Sequence, residues 1–162
     1  MTGFTRSKLV AVEKRENGIY LAHGILDDHV YSLEVHIEVK VPELTIKSAK
    51  GVMKRVTTPD CVKAPTILDG TVGLNIGGEE FNSQIKKLVG RGGCRHLADL
   101  FLECCKSIVP SVIQTSWKEA RREGICKDDF LRDLLQNEPL VKDMCGAYSK
   151  DSALAKRLGV AL

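Results

Sequence analysis

The segment Gly90-Arg91-Gly92-Gly93-Cys94-Arg95-His96-Leu97 sets a thiol and an imidazole two residues apart behind a run of glycines. Glycine permits a tight backbone approach just before a helix begins, so Cys94 falls in or before the first turn. There the positive end of the helix macrodipole favours a thiolate, and Arg91 and Arg95 act in the same sense. Cys94 as nucleophile with His96 beside it is therefore the candidate catalytic pair. A plainer reading stands next to it: the glycines form only a helix-start turn, Cys94 is a small packing residue, and His96 is a surface or satisfied core histidine. Residues two apart on a regular helix point about 200° apart. The pair can meet only if Cys94 precedes the helical part of the segment, where non-helical dihedrals redirect its side chain.

Other chemistry-bearing residues have simpler explanations. No Gly-Lys-Ser/Thr follows the glycines and no dinucleotide fingerprint is present, which removes phosphate-loop readings. Lys118, Arg121 and Arg122 alternate with Glu119 and Glu123, the pattern of a solvated helix with i,i+4 pairs rather than a nucleic-acid stripe. His36, between Glu34 and Glu38, reads as a residue of a solvated strand face. His23 alternates with Ile19, Leu21 and Ile25, and an imidazole buried on such a face needs a partner. Asp27-Asp28 reads as a turn and Asp128-Asp129 as a helix start. Cys104 and Cys105 lie in an apolar helical run as small core residues.

The elements that must position these residues are legible from periodicity. Leu33, Val35, Ile37, Val39 and Val41 alternate with Ser32, Glu34, His36, Glu38 and Lys40, the pattern of a half-exposed strand. Before it, Lys8 to Arg15 and Ile19 to Leu26 are joined by Glu16-Asn17-Gly18, and Asn-Gly suits a hairpin turn with positive φ. Leu44 to Met53 supplies a fourth strand, and short connections predict a meander. From Thr57 the period changes: short helices or turns over Asp60 to Val72, then a helix from Gly78 to Val89 ended by Gly90. The best helix follows Gly92-Gly93, with Leu97, Leu100, Phe101, Cys104 and Ile108 on one face. Pro110 kinks or restarts it, and further helices begin at Asp128 or Asp129, Leu140 and Ser152. The fold class is α+β: an N-terminal antiparallel β-meander packed against C-terminal helices. The expected organisation is one domain over residues 1–162, sheet-rich over 6–56 and helix-rich over 60–159.

With 162 residues, the chain is long enough for a real core without staples. Its 43% apolar and 28% charged composition and net charge of +3 exclude a disordered chain and a strongly basic nucleic-acid binder. No apolar stretch approaches the roughly 20 residues of a membrane span, and no signal-peptide core follows Arg6 and Lys8. The expectations are a cytoplasmic location, no membrane or nucleic-acid partner, and thiols or metal ligands rather than disulfides. An open meander leaves edges and a second face to cover, which suits a homodimer.

The run Gly93-Cys94-Arg95-His96-Leu97-Ala98-Asp99-Leu100 resembles the Gly-Cys-Thr-His-Leu-Thr-Glu-Leu motif of a bacterial family, domain of unknown function 2889 (DUF2889). Segments around Thr58-Pro59-Asp60-Cys61, Leu68 to Phe81 and Asp143-Met144-Cys145-Gly146-Ala147-Tyr148 resemble further stretches of that family. Arg95 stands where the family has Thr, Glu80 separates the glycines from Phe81, and the aromatic C-terminal ending is absent. The resemblance implies kinship and no reaction. It also selects Cys61, Cys94, His96 and Cys145 among the chemistry-bearing residues, and three thiolates with one imidazole make a complete ligand set for zinc, or hold iron. Their wide separation in sequence is unlike a compact zinc finger, and the alternative is that the cysteines pack separately. Two functions remain open. One is a small enzyme acting on a small organic substrate through a thiolate or metal-bound water at the start of the Cys94 helix. The other is a noncatalytic metal-binding, ligand-binding or redox-sensing module.

Overall fold

Asn17 and Gly18 both take positive φ, 56° and 69°, so the first chain reversal is built on the two residues that best tolerate it. The hairpin joins β1 (Arg6–Lys14) to β2 (Ile19–Asp28). Next come β3 (Ser32–Lys40) and β4 (Thr45–Arg55), and the four strands pair antiparallel in the order β1-β2-β3-β4. The computed structural model describes residues 3–138, 141, 144–149 and 151–160. Its strands begin or end up to two residues from the sequence expectation. Packing divides the chain into two compact units, residues 1–111 and 112–162.

In the first unit the alternation of β3 is realised without exception: Leu33, Val35, Ile37 and Val39 are fully buried and the residues between them half-exposed. Helix α2 (Arg95–Lys106) packs across β1, β2 and β3 on the buried face, contributing Leu97, Leu100, Phe101 and Cys104, all fully buried. Each such aliphatic or aromatic side chain contributes roughly 1.5–3 kcal/mol. Its approach to β2 depends on Gly24, where a Cβ would run into the sulfur of Cys104 and lie 3.1 Å from Leu100. A 3-10 run over Pro59–Thr71 covers β4 and buries Leu68.

The helix expected over Gly78 to Val89 is shorter at its start and longer at its end. Helix α1 (Phe81–Ile85) passes into a π turn over Lys86–Arg91, so Gly90 does not end it. Of the expected apolar face Phe81, Ile85 and Leu88, the first two are buried, but Leu88 is half-buried and Val89 takes the buried place, since the π turn holds more residues per turn than an α-helix.

The division between units falls within α3 (Ile108–Arg122). Pro110 lies in its first turn, where no helical acceptor exists for the missing N–H, and so restarts the helix instead of breaking it. In the second unit, α4 (Lys127–Asn137) and α5 (Ala153–Leu158) bury Leu134, Leu135 and Leu158 with Val141 and Val160. Asp128 grips Arg157 through two hydrogen bonds of 2.6 and 3.0 Å, tying α4 to α5. Of the helix expected from Leu140 to Tyr148, the described residues form only a 3-10 turn, Gly146–Tyr148; Leu140 and Asp143 lie outside the described residues.

Candidate functional site

Cys94 is the N-cap of α2, with extended dihedrals of −138° and 126°. This is the placement that lets it meet a residue two positions later. Its Sγ lies 4.0 Å from Nδ1 of His96, the outer range of a hydrogen bond to sulfur. The glycines earn their position through packing. A Cβ on Gly92 would collide with the Leu88 carbonyl oxygen and sit 2.7 Å from Ile67, and the N–H groups of Gly92 and Cys94 fold back onto the carbonyls of Lys87 and Val89. The π turn is thus sealed against the helix start by residues without side chains.

His96 is half-buried under the ring of Tyr31, with centroids 4.2 Å apart and planes tilted 37°. Burial lowers its pKa from the ordinary histidine value and Arg6 acts in the same direction, while Asp28 and Asp99 oppose them. The neutral, proton-accepting imidazole is favoured near pH 7.

Tyr31 is held in turn by Asp28. One oxygen of this buried carboxylate accepts 2.6 Å hydrogen bonds from the N–H groups of Val30 and Tyr31, and the other accepts from Arg6 at 2.6 Å. Burial raises the Asp28 pKa, but the two backbone donors and the guanidinium outweigh it and bring the carboxyl down to about 2. Asp27-Asp28, expected as a turn, instead forms the last two residues of β2, and the turn itself falls on His29 and Val30, held by the Asp28 carboxylate so that the Tyr31 ring is aimed at the candidate base.

Cys61 shares a cleft of about 430 Å³ with Cys94; Tyr31, Thr58, Ile67 and Gly93 are among the other lining residues. Its Sγ lies 3.3 Å from the Thr58 hydroxyl and 3.9 Å from that of Thr57. Hydrogen bonding from the side chain and backbone of Thr58 lowers the Cys61 thiol below its ordinary value. The Tyr31 hydroxyl is 3.4 Å from Thr57, so one tyrosine reaches from the imidazole to the threonines around Cys61. Cys104 and Cys105 are core residues, as expected; burial pushes the Cys104 thiol up to about 12 and raises Cys105 as well.

The four residues selected as metal ligands are distributed as follows. Cys94 and His96 adjoin at the helix start, Cys61 lies on the 3-10 run lining the same cleft, and Cys145 is an exposed residue of the second unit. Cys61, Cys94 and His96 do not meet as a trio at ligand spacing. Among the described residues, the group whose donor atoms all lie within 4.8 Å of one another is His23, Glu34 and His36. Alternation along β3 places His36 and Glu34 on its outer face and gives no sign of the cluster. The signal that would have found them is the strand register, which sets His23 directly opposite His36. Burial and the neighbouring His23 lower the pKa of His36, opposed by Glu34.

Among the described residues no helix is long and apolar enough to cross a membrane. No curated protein and no solved structure matches the chain. The family model described as protein of unknown function (DUF2889) matches residues 4–109, a span that contains Cys61, Cys94 and His96 and ends before Cys145. The chain belongs to the DUF2889 family.

Proposed function

We propose that the protein acts on a small organic electrophile held in the cleft between the 3-10 run and the start of α2, with Cys94 as nucleophile and His96 as its base. The observation that carries this reading is Cys94 at the N-cap, lining a cleft of about 430 Å³ with Nδ1 of His96 4.0 Å from its Sγ. In the reaction, Nδ1 of His96 takes the thiol proton as Sγ bonds to the electrophilic acyl carbon, and the imidazolium returns the proton as the bond to the leaving group breaks. A water molecule, deprotonated by His96, then hydrolyses the thioester and frees the thiol. The first-turn N–H groups of α2 have no helical acceptors and supply stabilisation for negative charge developing beside Cys94. Tyr31 excludes water from one face of the imidazole and keeps it neutral until it accepts the proton.

A second reading is favoured by Cys61, whose eased ionisation on the same cleft suits a noncatalytic ligand-binding or redox-sensing module. One experiment separates the two. In a Cys61→Ser background, the alkylation rate of Cys94 is followed against pH with and without His96→Asn, alongside turnover of small activated esters and thioesters. The enzyme reading expects an inflection set by His96 that disappears in His96→Asn, and turnover lost in Cys94→Ser. Turnover that survives Cys94→Ser, or a Cys94 rate profile indifferent to His96, overturns it.

A further inference from the structure

We infer that His23, Glu34 and His36 form a binding site for a divalent cation of the zinc class on the sheet face that points away from α2. The inference is independent of the thiol reading, because the two sets share no residue. In register, His23 on β2 pairs directly with His36 on β3, and Glu34 lies two residues earlier on β3, hence on the same face. Intervening Ala22, Val35 and Ile37 are fully buried on the opposite side, against the core. Two donors at i and i+2 of one strand with a third across the ladder set three side chains around one point, each Cβ within about 4.5–8 Å of the others.

The donor atoms already converge. They lie within 4.8 Å of one another, and His23 Nε2 is 3.7 Å from a carboxylate oxygen of Glu34. That Nε2 is buried and has no hydrogen-bond partner, a cost a native structure normally avoids. A cation in this place would satisfy it.

Two imidazoles and one carboxylate are the donor types zinc prefers, and three protein ligands leave a fourth position for water or a ligand atom. Some adjustment is required. The two rings stack at 4.1 Å with planes only 13° apart, and bonds of roughly 2.0–2.2 Å call for donors closer than they stand. Rotation of the imidazoles about their side-chain bonds brings their nitrogens toward the Glu34 oxygen. Lys54, which forms an ion pair with Glu34, must turn outward, and as an exposed, flexible side chain it can.

The test is titration of the metal-free full-length protein with zinc chloride by calorimetry, repeated with His23→Ala, His36→Gln and Glu34→Gln. One ion per chain is expected, with affinity falling at least tenfold in each variant. Zinc should raise the melting temperature of the parent and not of His23→Ala, and melting without metal shows whether each variant folds. Because thiols also bind zinc, cobalt(II) is titrated in parallel. The site predicts d–d bands without thiolate-to-cobalt charge transfer, unchanged by Cys94→Ser. Binding that persists in the histidine variants, a thiolate-type cobalt spectrum, or no binding by the folded parent overturns the inference.

Discussion

The ring of Tyr31 lies against that of His96, centroids 4.2 Å apart, and the Asp28 carboxylate holds the backbone of Tyr31 in place. A turn between two strands thereby controls the polarity around an imidazole on a helix more than sixty residues later. Tyr31→Ala should admit water to His96, raise its pKa toward the ordinary value and move the His96-dependent inflection in Cys94 alkylation to higher pH. Titration of the His96 ring by NMR checks the first effect, and peptide-resolved mass spectrometry the second.

Asp28 carries a pH signature of its own. Its carboxyl titrates at about 2 in the folded protein against an ordinary 3.8, so the folded state favours the ionised form. The associated stability is fully present above the unfolded value and is lost as pH falls through the folded one. Between about pH 4 and 2 the melting temperature of the parent should fall more steeply than that of Asp28→Asn, which lacks the titrating group and is less stable at pH 7.

The thiols should divide by environment. Cys61 and Cys94, on the cleft, should react with iodoacetamide at neutral pH at least a hundredfold faster than Cys104 and Cys105, whose ionisation burial opposes. Competitive labelling followed by mass spectrometry of the native protein gives the order directly.

Thr58 should control Cys61 without touching Cys94. Thr58→Val removes the hydroxyl 3.3 Å from the sulfur and should shift the pH profile of Cys61 alkylation upward, whereas Thr58→Ser should retain it. An unchanged profile in Thr58→Val would show that the hydroxyl has no part in the ionisation.

Gly24 should tolerate no side chain while Cys104 is present. Gly24→Ala places a methyl group against the Cys104 sulfur in a closed core and should destabilise the fold by about 1–3 kcal/mol. Adding Cys104→Ala should recover part of that loss, since it removes the atom in the way; denaturant unfolding of the single and double variants measures the coupling.

Much of the scaffold could be read from the chain alone, because the local rules involve neighbours in sequence. Alternation of apolar residues in β3 and positive φ at Asn17-Gly18 depend on short-range sterics and on one face needing burial. So do the apolar stripe of α2 and the core role of Cys104 and Cys105. The same rules put Cys94 at the start of α2, and family resemblance drew attention to it and to Cys61.

Tertiary structure alone decided what these residues meet. The Tyr31 ring over His96, the threonines beside Cys61 and the division at residue 111 arise from contacts between distant segments, to which periodicity is blind. His36 is the sharpest case. Alternation correctly put it on the outer face of β3, but the register that lays His23 over it, with Glu34 at 3.7 Å from the His23 nitrogen, belongs to the pairing of two strands. A shift of one residue in that pairing would have sent the two histidines to unrelated neighbours, because side chains alternate faces at every step along a strand.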